Sequence, residues 1–363
     1  MKVKNALLAL TVLLLVFFMA ACGSSNTGSS PSPSPSPSQS PSDSGSFPSP
    51  STAASTRTEI IDIKIGGGSQ GGTWFVYGGK IADILNNHVP GIRASGTLGG
   101  GTTNVVSVHT GEYLLALNHA WTARLGYEGK GPFEEKYDKV RYVMSFFPAV
   151  NMFIAKKGMD IEYVDQLDDQ KYRIALQPKT GLGPYWAETT FEALGFSADG
   201  LAAKGSQVTY SSHSVSAQAM QDGLVDIIQL LDPYRSSVAL ELDQNPGIKL
   251  LKLSGETLQK ITSENPGLIR VDIPGGVYSG SPDVVPALGS MNALTASADL
   301  PDDVVYDITK ALVEHLDELN EVFPPEYQLQ VGPNLVEGIS VPMHPGAKRY
   351  FEEIGIQVVE PQS

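Results

Sequence analysis

The residues of this chain that could do chemistry cluster where predicted strands end. Gly66-Gly67-Gly68-Ser69-Gln70-Gly71-Gly72-Thr73 follows one such strand and opens a helix. Its G-x-x-x-x-G-x-T spacing is that of a phosphate loop, whose backbone N–H groups cradle an anion. Gly72, however, stands where the phosphate-reaching lysine belongs, and nothing downstream reads as a Walker B aspartate, so nucleotide hydrolysis is not expected. Gly67-Gly68-Ser69-Gln70-Gly71 also matches the G-x-S-x-G nucleophile elbow, which would make this a secreted serine hydrolase acting through Ser69. That rival needs strands and an oxyanion loop upstream of its elbow, whereas the folding part of the chain starts only about ten residues before Ser69. Its histidine would have to come from as far away as His315 or His344. A ligand-free reading is a tight turn that packs the helix on the sheet. Against that turn stand small polar groups at the other strand ends: Gly99 to Asn104, Asn118-His119, Thr180 to Gly183, and Asp232-Pro233-Tyr234. Helices opening from such loops point unpaired N–H groups and positive dipole ends at whatever lies between them. A cleft for an anion is the economical reading.

The remaining candidates are weaker. The six histidines, at 88, 109, 119, 213, 315 and 344, show no metal-ligand spacing, and no calcium loop is present, so no metal site or cofactor is expected. His88 and His109 read as surface or helix-end residues. His119 alone sits at a strand end beside the expected cleft. Trp74 and Trp186 open equivalent helices and either flank a ligand or pack on the sheet. Glu134-Glu135-Lys136 reads as a solvated face.

The elements that must position these residues repeat. Strand, small-residue loop and helix follow one another from Ile63 to Trp74 and again from Ile174 to Trp186. The same offset of 112 aligns Gly71 with Gly183 and Gly111 with Gly223, each of the latter pair ending a helix-like run before an apolar strand. Ile60 to Ile65 alternates as a strand, and Thr73 to Asn87 reads as a helix with Phe75, Gly78, Ile81, Ile84, Leu85 and His88 on one face. The pattern predicts a strand at Ile92 to Leu98, a helix at Thr102 to Thr110, a strand at Tyr113 to Asn118 and a short helix at His119 to Tyr127. Arg141 to Lys156 is a long extended run leading to a second unit. There, strands at Arg173 to Leu176, Gln207 to Tyr210 and Val225 to Leu231 alternate with helices at Pro184 to Leu194 and Ser214 to Asp222. Ile273 to Ser297 should return the chain. Pro301 opens a helix carrying Val304, Val305, Ile308, Leu312, Leu316 and Leu319, and a last helix runs from Pro345 to Ile354. The fold class is therefore α/β: two lobes, each an open α/β sheet, with a hinge between them. Such sheets bind ligands outside the carboxyl ends of their strands.

The ends and the composition bound the rest. Met1 to Lys4 and the apolar run from Ala6 to Met19 have the charged and hydrophobic regions of a signal peptide, over residues 1–21. Met19-Ala20-Ala21-Cys22-Gly23 resembles the lipobox of bacterial lipoproteins, so Cys22, the only cysteine, is expected to carry lipid on the outer face of the cytoplasmic membrane. Residues 22–58 are nearly all Ser, Pro, Thr and Gly and read as a disordered tether, long enough to hold a domain roughly 30 to 100 Å from the lipid. Lobe 1 is assigned to 59–152 plus 276–363 and lobe 2 to 153–275. A formal charge of −14 argues against nucleic acid or anionic lipid as partner, and it leaves local N–H groups to hold any anion.

Separate blocks across nearly the whole span from Ile63 to Ile354 resemble the solute receptors of the TAXI family of tripartite ATP-independent periplasmic (TRAP) transporters. They are Ile65 to Gly68 through Gly71-Gly72-Thr73 with Gly78-Gly79; Gly100 to Asn104; Gly129-Lys130-Gly131-Pro132-Phe133; Ile273 to Tyr278; Asp299 to Tyr306; and Val341 to Tyr350. The resemblance implies a type II periplasmic-binding-protein fold. It implies a monomeric, non-enzymatic receptor that closes on a small organic anion, glutamate-like or dicarboxylate, and delivers it to a TRAP-type permease driven by an ion gradient. Carried over by position, ligand contacts fall on Ser69, Gly72, Thr73 and Trp74, on Gly101, Thr102 and Asn104, and on Thr180, Gly183 and Tyr185. The strand-end reading adds Asn118, His119, Asp232 and Tyr234. The chain departs from the family at Asn118-His119-Ala120-Trp121, where a Gln-Ser-Asp-like stretch is usual, and at Thr180 to Pro184, where a Gly-Ser-Gly-Thr-like turn is usual. Those changes bear on the ligand. A sensing module for a membrane signalling partner would use the same site.

Overall fold

The computed structural model describes residues 59–68, 73–179 and 182–361. The expected leader, Cys22 and tether, together with Ser69, Gly72 and Thr180, lie outside the described residues.

The described elements start with the alternating strand β1 (Ile61–Gly66), which buries Ile63 and Ile65, and continue through α1 (Thr73–His88), β2 (Ile92–Thr97), α2 (Gly101–Thr110), β3 (Leu115–His119) and α3 (Ala120–Glu128). The long strand β4 (Val140–Lys156) leads into β5 (Arg173–Leu176), α4 (Gly183–Leu194), α5 (Ala198–Ala203), β6 (Gln207–Tyr210), α6 (His213–Gln221) and β7 (Ile227–Asp232). After α7 (Ser237–Gln244), β8 (Ile248–Leu250), α8 (Gly255–Glu264) and β9 (Ile269–Ile273), the chain returns through β10 (Val285–Ser297). It ends with α9 (Asp302–Glu314), α10 (Leu316–Asn320) and α11 (Pro345–Glu353).

The sequence repeat corresponds to a topological one. β1 lies between β2 and β3, all parallel, and β5 lies between β6 and β7, again all parallel. Gly111 and Gly223 occupy matching left-handed positions after α2 and α6, with φ of 79° and 74°, where any side chain would be strained. The two βαβαβ units are lobes of an open α/β architecture, joined by β4 and β10 into a sheet of order β2-β1-β3-β10-β4-β7-β5-β6. β4 is buried on both faces along almost its whole length, which its nearly unbroken apolar run dictates.

Between the lobes the β4–β10 ladder skips. Met291 pairs with Pro148, but Ala293 pairs with Ser145, so Phe146 and Phe147 together face Asn292. A proline cannot donate to a ladder and is tolerated inside a strand only at such an irregularity. Asn292 compensates from its side chain, donating Nδ2–H to Phe147 O at 2.8 Å and accepting Trp74 Nε1–H at 3.0 Å.

Several expectations shift. On α1 the buried face is Tyr77, Gly78, Ile81, Ala82, Ile84 and Leu85, and Phe75 is only half-buried, because the helix is turned to place Tyr77 inward. Pro301 precedes α9 as its cap, its carbonyl accepting from the Val304 and Val305 N–H groups. The single helix expected through Leu319 breaks at His315, whose φ of −119° and ψ of 38° are not helical. His119 ends β3 and precedes α3. The second lobe also contains α5, α7, α8 and β8, which the sequence reading does not anticipate.

Asn292→Ala leaves Phe147 O and the Trp74 indole N–H without their partner in a buried setting. The expected loss is about 2 to 4 kcal/mol of unfolding free energy, measured by urea denaturation of the ligand-free protein.

Candidate functional site

Two adjoining cavities, of about 300 Å³ and about 470 Å³, open at the carboxyl ends of the parallel strands and share a wall made by Trp74, Gly99 to Gly101, His119 and Leu231. The first extends to Tyr77, Phe147, Asn292 and Asp232. The second extends to Thr102, Gln177, Lys179, Gly183 and His213. Each therefore draws residues from both βαβαβ units. The N-termini of α1, α2, α4 and α6 border them, as crossover connections in a parallel sheet require. Neither α2 nor α4 has a side-chain cap on its first turn. Their leading N–H groups remain to be satisfied by something else.

The first lobe's loops are held by Asn104. Its Nδ2 donates to Gly67 O at 2.8 Å and to Leu117 O at 2.7 Å, and its Oδ1 accepts Gly100 N–H at 2.9 Å. Gly99 passes so close that a Cβ there would overlap Asn104 Oδ1. Gly67 N–H to Thr97 O at 3.0 Å and Gly99 N–H to Gly68 O at 3.2 Å complete the brace. Asn104 is fully buried and outside both cavity walls, so it positions the loops and leaves ligand contact to their backbone.

Two aromatic rings stand in the shared wall. Trp74 and His119, the rings of that wall, lie 4.7 Å apart between centroids; outside the wall, His119 meets the buried Trp186 edge-on at 6.0 Å and Trp121 stacks on Tyr185 at 5.3 Å. Burial lowers the His119 pKa to about 4, offset only in part by its hydrogen bond with Asn292, so the ring is neutral at physiological pH. Its Nδ1 is buried with no partner, as is the Tyr77 hydroxyl. Burial also raises Asp232 to about 6, against the opposing effect of Ser236. Burial first and the Asp232 charge second push the Tyr77 phenol well above its usual range. In the second cavity, burial lowers the His213 pKa, and its Nε2 is hydrogen-bonded to Gln177 Nε2. Lys179 is the one cationic side chain among the described lining residues, its Nζ lying 4.3 Å from the centre of the Tyr210 ring.

Of the sequence-predicted contacts, Thr73, Trp74, Gly101, Thr102, His119, Gly183 and Asp232 line the cavities. Asn118, Tyr185 and Tyr234 do not, for reasons visible in their partners. Asn118 is buried and donates to Thr295 Oγ1 at 2.7 Å. Tyr185 packs on Trp121. Tyr234 has its N–H bonded to the Tyr327 hydroxyl and its carbonyl to that of Tyr278. Sequence reasoning missed Tyr77, Phe147, Asn292, Gln177, Lys179 and His213. Pro148 inside a strand pattern is the signal that would have drawn attention to Phe147 and its neighbour across the ladder.

Asn104→Ala removes the side-chain partner of Gly67 O, Leu117 O and Gly100 N–H, the first two in buried bonds, and should cost about 2 to 4 kcal/mol in urea unfolding. The titrations oppose one another. Asp232, raised in the folded state, contributes stability that declines as pH rises from about 4 to about 6; His119, lowered in the folded state, contributes stability that grows between about 4 and 6.5. Asp232→Asn removes the declining component. Its unfolding free energy from urea denaturation should climb more steeply than wild type over that interval and exceed it near neutrality, by about 1 to 3 kcal/mol, while the two coincide near pH 4.

Solved structures of similar chains include the periplasmic aliphatic sulphonate binding protein SsuA from Escherichia coli, with 16% identity, 72% of each chain covered and a TM-score of 0.43. A TctC solute binding protein from Polaromonas aligns at 12% identity over 74% of this chain and 88% of that one, with a TM-score of 0.49. A putative L-cystine ABC transporter from Listeria monocytogenes aligns at 11% identity over 74% and 96%, with a TM-score of 0.43. The sequence model of the NMT1-like family matches residues 65–355, which takes in both βαβαβ units from the end of β1 onward, the two long connecting strands and every residue named in the cavity walls. With most of its length accounted for in this way, the chain belongs to the NMT1-like family.

Proposed function

We propose that the protein is a non-enzymatic extracytoplasmic solute receptor that binds a small organic anion between its lobes, 59–152 plus 276–363 and 153–275, by hinge closure. Lipid on Cys22 holds it at the membrane, and a TRAP-type permease receives the solute, as the resemblance to TAXI receptors implies. The observation that carries this reading is the shared wall: Trp74 and His119 from one lobe face Leu231, and the uncapped helix ends of both lobes open onto the same space. Cavities of this combined size suit a small solute. A ligand that bridges the lobes stabilises the closed form by the contacts it makes only there. No helix among the described residues is long and apolar enough to cross a membrane.

The two cavities differ in charge, and the difference orients the solute. A carboxylate fits the second cavity, beside Lys179 and the first turns of α2 and α4. The first cavity instead presents Asp232, the Tyr77 hydroxyl and the neutral His119 ring. A second carboxylate there would meet a group that is itself anionic above about pH 6, whereas an ammonium would pair with it. The geometry therefore favours a glutamate-like solute over a simple dicarboxylate.

Calorimetric titration with L-glutamate and with succinate tests both levels. Glutamate should bind more tightly near neutral pH, and Lys179→Ala should weaken binding by about 1.5 to 3 kcal/mol, the worth of a hydrogen bond to a charged group, with the melting temperature of the unliganded protein unchanged. Saturation at a hundred times the dissociation constant should stabilise wild type by about 2.7 kcal/mol. Failure of every acidic amino acid and dicarboxylate to raise the melting temperature would sink the receptor reading.

A further inference from the structure

A cluster at the far end of α1 lies outside both cavity walls. His88 closes that helix, fourteen residues beyond Trp74 and so about 21 Å along the axis. Its Nε2 lies 2.7 Å from Glu318 Oε1, and His315 Nδ1 lies 3.3 Å from the same oxygen. The two imidazoles stack with centroids 3.5 Å apart and planes 14° from parallel. All three donor atoms fall within 4.8 Å of one another, the one such group among the described residues. The ligands come from segments distant in sequence, the end of α1 and the junction where α9 breaks into α10. His315 is the residue at that break, with Glu318 in the first turn that follows. Between 28% and 31% of each side chain is open to solvent, enough for an ion to enter.

We propose that His88, His315 and Glu318 form a site for a zinc-class divalent ion. Two neutral imidazole nitrogens and one carboxylate oxygen, with water completing the shell, are a tetrahedral zinc donor set. Imidazole nitrogen selects zinc, nickel, cobalt or copper over magnesium and calcium, which prefer oxygen alone. In the absence of metal, both nitrogens converge on a single carboxylate oxygen, and an ion near that oxygen would replace one hydrogen bond and one longer ion-pair contact with three ligand bonds after small side-chain rotations. The surroundings attract a cation: Glu321, Glu318 and Asp83 all act on Lys80, whose own charge is tied to Glu321 at 2.7 Å. The bound ion would clip the end of α1 to the α9–α10 corner and stiffen the first lobe without touching the cleft.

The test is a zinc chloride titration of the protein purified without a polyhistidine tag and stripped with EDTA, followed by calorimetry and thermal melting, with cobalt(II) absorption as a report on ligand geometry. One equivalent should bind and raise the melting temperature. Glu318→Gln and His88→Ala should each lower zinc affinity about tenfold or more and abolish the rise, while melting in EDTA stays close to wild type. Should His88→Ala fail to fold, Glu318→Gln carries the test alone, because it keeps the shape of the side chain. Wild type that binds no zinc saturably, or zinc binding that survives both substitutions unchanged, overturns the site. Neither outcome depends on whether L-glutamate binds in the cleft.

Discussion

The cleft depends on how two long antiparallel strands pass between the lobes with a proline in one of them. Pro148 can donate no hydrogen bond, and the ladder skips beside it, leaving Phe147 O to be satisfied by Asn292. Asn292 is buried, so an unpaired group at this point would be costly. Its carbonyl oxygen is then fixed in direction and takes the Trp74 indole N–H, which in turn sets the ring against His119. One irregularity thus fixes both the joint between the lobes and the aromatic wall that the two cavities share. Bulges recur beside functional sites because they re-aim one side chain while leaving the strands on either side paired, and Asn292 is re-aimed here.

The parts of this arrangement visible in the sequence are those written locally. Ile61 to Gly66 alternates because one face of β1 is buried, and the glycines after it mark the close approach of loop, helix and neighbouring strand. The repeat at Gly111 and Gly223 was legible because a left-handed residue after a helix is nearly always glycine. What escaped depends on tertiary partners. Asn104 and His119 look alike as polar residues at strand ends, yet Asn104 is committed to three backbone segments and His119 keeps a free ring nitrogen. Lys179 and His213 reach the cleft because β5 and β6 lie side by side, a pairing that the sequence of neither strand specifies. The His88, His315 and Glu318 cluster has no spacing to read, since helix packing alone brings its members together.

Charge in the cleft is arranged against the field of the whole chain. At a formal −14 the protein as a whole repels an anion, so attraction has to be short-ranged. For the proposed anion, helix ends and the Lys179 ammonium would provide it in the second cavity, while the first holds a carboxyl whose burial keeps it protonated well above its ordinary range. Asp232 and His119 are displaced in opposite directions for one reason, the loss of water around a charge. Both are consequently neutral in mildly acidic solution. A ligand group that restores the Asp232 charge by pairing with it gains more than one that must displace it.

The repeated halves have diverged in what their equivalent positions do. Trp74 and Trp186 occupy the same place in the two βαβαβ units, but Trp74 is half-buried and lines both cavities, whereas Trp186 is fully buried with its indole N–H unpartnered. The cause lies in what covers each ring. Asn292 holds Trp74 from the joint between the lobes, while Trp121 stands edge-on to Trp186 at 5.0 Å. With its tryptophan enclosed, the second lobe meets the cleft through Gln177, Lys179 and His213. The first lobe contributes a flat aromatic surface that excludes water, and the second contributes polar groups that strengthen as water leaves. In the proposed receptor, closure would bring the two together, so that affinity and closed geometry would arise from the same event.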